Sequence, residues 1–112
     1  MAEIYSIEKL DLVLEKSLPP NLIVTAVGTV NSGGWSNFSL SQVEYLTPPK
    51  DGVQEYAFIG DPPSGIATQA LESNKQAFAR IERVDQANYW GPGLPIKGVR
   101  VTTSSNKMEA TL

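Results

Sequence analysis

The chain has 112 residues, of which 41% are hydrophobic and 19% charged, and its 9 basic and 12 acidic side chains leave a formal net charge of −3. A chain this short supports one hydrophobic core, and the composition is that of a folded, soluble domain. With no cysteine and no histidine, it lacks thiolate nucleophiles, the usual zinc and iron ligands, and the side chain that most often moves protons near neutral pH.

Glu3, Glu8 and Asp11 interrupt the amino-terminal region where a signal peptide would carry its apolar stretch, so a cytoplasmic address is expected. Residues 7–16 alternate Leu10, Leu12 and Leu14 with polar neighbours and predict a strand, although Glu, Lys and Leu also suit a helix. Pro19 and Pro20 block a helix from running into residues 22–30 (LIVTAVGTV), whose β-branched content predicts a central strand. This is also the longest apolar run, and with Thr25, Gly28 and Thr29 inside it falls far short of the ~20 residues of a spanning helix. No membrane partner is expected.

Gly33-Gly34 has the composition of a two-residue hairpin turn, which would set Val27 opposite Leu40 and Thr29 opposite Phe38. The returning strand, residues 37–46, has apolar residues at even positions Phe38 and Leu40 and then at odd positions Val43 and Tyr45. That switch of parity predicts a bulge near Ser41-Gln42. Residues 53–59 (VQEYAFI) read as a strand with apolar groups on both faces, Tyr56 and Phe58 against Ala57 and Ile59.

Residues 66–84 carry two patterns, a helical stripe of Ala67, Leu71, Asn74, Phe78 and Ile81 and an alternation through Ala77, Ala79 and Ile81. The alternation predicts two strands joined near Ser73-Asn74-Lys75; the stripe would make the fold α+β. Residues 88–95 are a loop by their glycine and proline content, and 99–103 with 108–112 predict a closing hairpin. Residues 1–112 therefore read as one all-β domain, an antiparallel β-sandwich of immunoglobulin-like character with about seven strands.

No catalytic constellation stands out. Glu8 with Asp11 and Asp51 with Glu55 are the nearest carboxylate pairs, the first on a solvated face and the second at a turn. Asp61 beside Pro62 falls far short of the oxygen ligands that calcium collects, and no metal or other cofactor is expected. Arg80, Glu82 and Arg83 read as the wet face of a strand. The nine cations are scattered along the chain, whereas nucleic acid needs them clustered, so no nucleic-acid partner is expected.

The two tryptophans draw attention. Trp35 adjoins the Gly33-Gly34 turn and Trp90 follows Tyr89 in a Gly/Pro loop, where exposed rings would act as rigid anchors for a partner; covering an end of the core is the structural alternative. The loops at residues 31–35, 60–65 and 89–93, on a chain of this length, broadly resemble those of chagasin-type cysteine-protease inhibitors. In that family an immunoglobulin-like sandwich wedges three loops into an active-site cleft. The resemblance lies in loop character and rough spacing, Trp90 preceding Gly-Pro instead of following Arg-Pro, so it assigns no residue a role.

The expectation is a non-catalytic binding or assembly module using Gly33, Gly34, Trp35, Asp61, Tyr89 and Trp90, or an edge strand that pairs with a protein partner or with a second copy as a homodimer. A protease inhibitor acting through the loops around Trp35 and Trp90 is one alternative. Another is a carbohydrate-binding domain whose Trp35, Tyr89 and Trp90 rings form one flat platform near Asp61.

Overall fold

The computed structural model, which describes residues 1–65 and 67–112, has eight strands among them, most of them separated by glycine and proline bends. They are β1 (Ala2–Glu3), β2 (Ser6–Leu14), β3 (Leu22–Val30), β4 (Ser36–Gln42), β5 (Val53–Asp61), β6 (Glu72–Ile81), β7 (Gly98–Thr102) and β8 (Lys107–Thr111), with a 3-10 turn at Gln86–Asn88. β2, β3 and β6 form an antiparallel three-stranded sheet, and β1, β4, β5, β7 and β8 form a five-stranded one. The product is an all-β sandwich. No helix among the described residues is long and apolar enough to cross a membrane.

Side-chain alternation sets the two inner faces. Even positions of β3 (Leu22, Val24, Ala26) and of β5 (Tyr56, Phe58) meet Val99 and Val101 of β7 in a core from which water is excluded. Ile4 is buried where the chain leaves β1 for the other sheet; its amide donates to the Phe58 carbonyl at 3.0 Å and its carbonyl accepts from Ser104 at 2.9 Å. On β6 the parity reverses, so Ala77 is buried while Phe78 is 62% exposed on the outer face beside Thr25. Residues 66–84 hold no helix among those described, and the alternation is the pattern that prevails there.

Four expectations change in detail. β3 is central, as predicted, but β2 and β6 fill both of its edges, so Gly33-Gly34 is no hairpin turn. The bend carries the chain from one sheet to the other, and β4 pairs with β5, putting Leu40 opposite Phe58. The bulge in β4 falls between Ser36 and Ser39, where Asn37 has a φ of 53°, while Val43 continues the ladder to Glu55 at 2.9 Å. The parity switch at Val43 is simply an apolar residue facing outward.

β6 is one strand and not two, because Asn74, with a φ of 62°, absorbs the extra residue as a bulge between the pairs Gly28–Lys75 and Val30–Glu72. Finally, β5 and β7 run parallel, Tyr56 opposite Val101, because β6 lies between them in the chain and belongs to the other sheet.

One polar side chain ties the sheets together at a corner. Asn106 accepts the Ile7 amide at 2.9 Å and donates to the Ile7 carbonyl at 3.0 Å, and the Thr103 hydroxyl donates to its Oδ1 at 2.6 Å. Asn106→Ala leaves both groups of the buried Ile7 backbone unpaired and is expected to cost about 2 kcal/mol, whereas Phe78→Ser on the outer face should stay within about 0.5 kcal/mol. Urea unfolding of the two variants checks the contrast.

Burial pushes the Tyr56 hydroxyl up from 10.0 to about 12. The unfolded chain ionises first, so this contribution to stability is complete below pH 10 and is lost as pH rises through about 12. Tyr56→Phe is expected to flatten the alkaline limb of stability against pH, measured as urea midpoints across that window.

Candidate functional site

β5 spans nine residues, which at about 3.3 Å each sets its ends about 26 Å apart, and each end carries a group of loops. At its Asp61 end the bend at residues 31–35 lies against the loop at 60–65. Gly34, with a φ of 88°, sits so close to Pro63 that an added Cβ would come within 2.8 Å of its Cβ. Gly33 donates to the Thr68 carbonyl at 3.1 Å, and Asn37 donates to Asp61 at 2.9 Å. Trp35 is half-buried against the core, its Nε1 bonded to Ser32 Oγ at 3.1 Å.

The opposite end of β5 holds Tyr89 and Trp90. The structure thus brings Gly33, Gly34, Trp35 and Asp61 together and sets Tyr89 and Trp90 apart from them. A wedge made of all three loops is not formed, and neither is a shared platform of Trp35, Tyr89 and Trp90 near Asp61. The Tyr89 and Trp90 rings, moreover, stand at 90° to each other.

Trp90 is held from several sides. Its Nε1 donates to the Gly52 carbonyl at 3.0 Å, and its amide bonds to the Leu94 carbonyl at 3.0 Å. Tyr45 and Tyr89 meet the indole edge-on, with centroids 5.3 Å and 4.8 Å away. Tyr89 is fixed in turn by Gln54, an amide only 2% exposed in an otherwise apolar row of β5. The Tyr89 hydroxyl donates to Gln54 Oε1 at 3.3 Å and accepts from Gln42 at 3.4 Å, while Gln54 Nε2 donates to the Val43 carbonyl at 2.9 Å. Burial raises the Tyr89 hydroxyl above its ordinary pKa, as burial and then the nearby Glu55 charge do for Tyr45, so both rings are neutral donors at physiological pH.

Two recesses meet at this indole. One, of about 200 Å³, is walled by Pro48, Pro49, Trp90, Leu94 and Pro95 and carries Lys50 and Lys97. The other, of about 380 Å³, lies among Gln42, Glu44, Tyr45, Gln54, Tyr89 and Trp90. Lys50, Lys97 and Glu44 join none of the ion pairs among the described residues. A third recess, of about 470 Å³, lies at the Trp35 end between Gly33-Gly34 and Pro63-Ser64, with no aromatic or charged residue lining it among the described residues.

The carboxylate pairs have structural work. Glu8 accepts the Ser6 hydroxyl at 2.6 Å and Asp11 lies 3.6 Å from Lys9. Arg100 gathers Asp51, Glu109 and Glu55 at 2.9, 2.9 and 3.7 Å on the outer face of the larger sheet. Among the described residues no group of three or more acidic side chains is arranged to hold a metal ion.

Sequence reasoning passed over Tyr45, Gly52, Gln54, Lys50 and Lys97. Gln54 was the visible signal: a long amide in an inward position of a buried strand must find partners there. Comparison of the chain with known families, with curated proteins and with solved structures finds no match in any of the three.

Gly52 is a position of the site that requires glycine, because its φ of 70° suits glycine and a Cβ there would lie 3.0 Å from the Pro95 carbonyl oxygen. Gly52→Ala is expected to cost about 1–2 kcal/mol and to shift the Trp90 emission, checked by urea unfolding followed by fluorescence. Next to it, the Val53 amide and then Arg100 hold the Asp51 carboxyl below its ordinary 3.8. That contribution is present above pH 3.8 and disappears as pH falls below it. Asp51→Asn should therefore be weaker than the parent at neutral pH, with the gap closing in acid.

Proposed function

We propose that this chain is a non-catalytic binding module whose ligand surface is the Trp90 end of the sandwich. The observation that carries this reading is a single indole, pinned by the Gly52 carbonyl and by two edge-on tyrosines, that walls two adjoining recesses at once. A rigid aromatic anchor in a partly desolvated setting binds with little loss of side-chain entropy, which is why tryptophan and tyrosine dominate binding hot spots. The carboxylates Asp51, Glu55 and Glu109 are each engaged by Arg100, which supports a binding role over acid–base chemistry.

Self-association through an edge strand fits less well. β6, with 10 residues the longer of the two edge strands of the smaller sheet, carries the Asn74 bulge and turns the Lys75 side chain inward, 5.9 Å from the Phe38 ring and paired with Glu72 at 3.3 Å. Bulges and inward charges are the devices that keep edge strands from pairing.

Screening the protein against peptide and glycan arrays, with Trp90→Ala and Trp35→Ala tested beside the parent and their folds checked by circular dichroism, tests the reading. Loss of Trp90 is expected to weaken the strongest hit by about tenfold or more, and loss of Trp35 by less than about twofold. A hit that survives Trp90→Ala and disappears with Trp35→Ala overturns it.

A further inference from the structure

The two recesses at Trp90 are unlike in charge, and that difference names a ligand class. Pro48, Pro49 and Lys50 line the first recess opposite Leu94, Pro95 and Lys97, residues 42–45 line the second with Gln54 and Tyr89, and Trp90 belongs to both. Trp90 is the wall the two recesses share, and a ligand reaching both would lie across it in one trough. Toward its proline-walled part stand Lys50 and Lys97; toward its amide-lined part stands Glu44. None of the three has an ion-pair partner among the described residues. In a chain of net charge −3 the lysine pair is a local excess of positive charge, set against apolar surface where a paired anion would be partly desolvated.

Resting on the Trp90 reading above, we infer that the trough takes an extended peptide segment with an acidic side chain over Lys50 and Lys97 and a basic side chain toward Glu44. An extended chain sets same-side side chains about 7 Å apart, so it can straddle one indole wall and place a residue in each recess. The apolar side chain between the two charges packs on Trp90, Pro49 and Pro95. The exposed Gln42 amide lines the second recess; one of its N–H groups goes to the Tyr89 hydroxyl, and its other N–H and its oxygen are suited to peptide carbonyl and amide partners, while Gln54 and Tyr89 are bonded to each other and hold the wall in place.

The competing chemistries fit the trough less well. A row of sugar rings stacks on coplanar aromatic faces, and here Tyr45 and Tyr89 stand at 88° and 90° to the indole, so the three rings offer no common platform. A nucleic-acid strand needs a run of cations, and the trough has two, with Glu44 beyond them.

The test uses synthetic heptapeptides of apolar residues with Asp near one end and Arg near the other, made in both chain directions, together with analogues in which Asn and Gln replace the charges. Each is titrated into isotope-labelled protein, following the Trp90 and Trp35 indole N–H signals. At least one charged peptide is expected to shift Trp90 and leave Trp35 in place, binding about fivefold or more tighter than its neutral analogue, the scale of one partly exposed ion pair. The Lys50→Glu, Lys97→Glu double variant, which alters two exposed side chains, is expected to keep the fold and lose that preference.

Equal binding of charged and neutral peptides at Trp90 overturns the charge assignment and leaves the Trp90 surface standing. A glycan or oligonucleotide that moves Trp90 where no peptide does overturns the peptide class. If no peptide, glycan or oligonucleotide moves Trp90, both the inference and the binding surface fail.

Discussion

β5 buries one face along its whole length, and the rest of the molecule is arranged around that burial. Its inward residues Gln54, Tyr56, Phe58 and Gly60 are all out of water, and its two edges are filled by β4 on one side and by β7 and then β1 on the other. Phe58 contributes about 1.5–3 kcal/mol by leaving water, and its carbonyl receives the Ile4 amide at the point where the chain changes sheets. A strand buried in this way has to satisfy every polar group it carries. The backbone does so through its neighbours, and Gln54 does so through Val43, Glu55 and Tyr89.

That last requirement builds the candidate site. Because Gln54 is buried and must bond, it draws the Tyr89 hydroxyl inward, and Tyr89 sets its ring edge-on to Trp90. The Gly52 carbonyl, one residue before β5 begins, fixes the other side of the same indole. The proposed binding surface is therefore an outgrowth of core satisfaction: the bonds that hold the first residues of β5 in place also hold the aromatic wall. Loops pinned by a buried strand keep their shape before a ligand arrives, which reduces the ordering entropy that binding costs.

Charge is divided in the same way between the sheet and the candidate site. On the outer face of the larger sheet Arg100 is surrounded by three carboxylates, a network that favours the parallel and antiparallel pairings of β5, β7 and β8. The acids are occupied there, while Lys50 and Lys97 stand apart at a recess. A domain with a modest net negative charge can thus present a small positive site without being basic overall.

The sequence by itself determined the fold class and most of the strands. Alternation through residues 22–30, 53–59 and 99–103, cut by Gly and Pro, is local physics, since a period of two fits a half-buried strand and little else. It also marked Trp90 and Tyr89 as residues to watch. It could not determine which strand pairs with which. Gly33-Gly34 bends a chain equally well into a hairpin or across to a second sheet, and β4 went to β5 because β2 and β6 had filled both edges of β3.

The parallel pairing of β5 with β7, and the bulge at Asn74 that let one strand cover a stretch read as two, come from the same competition for edges. Only the tertiary structure decided that Trp35 and Trp90 lie at opposite ends of β5, and that Tyr45, Gly52, Gln54 and the two lysines gather at one of them. Those contacts join residues far apart in the chain, where no local pattern records who the neighbour is.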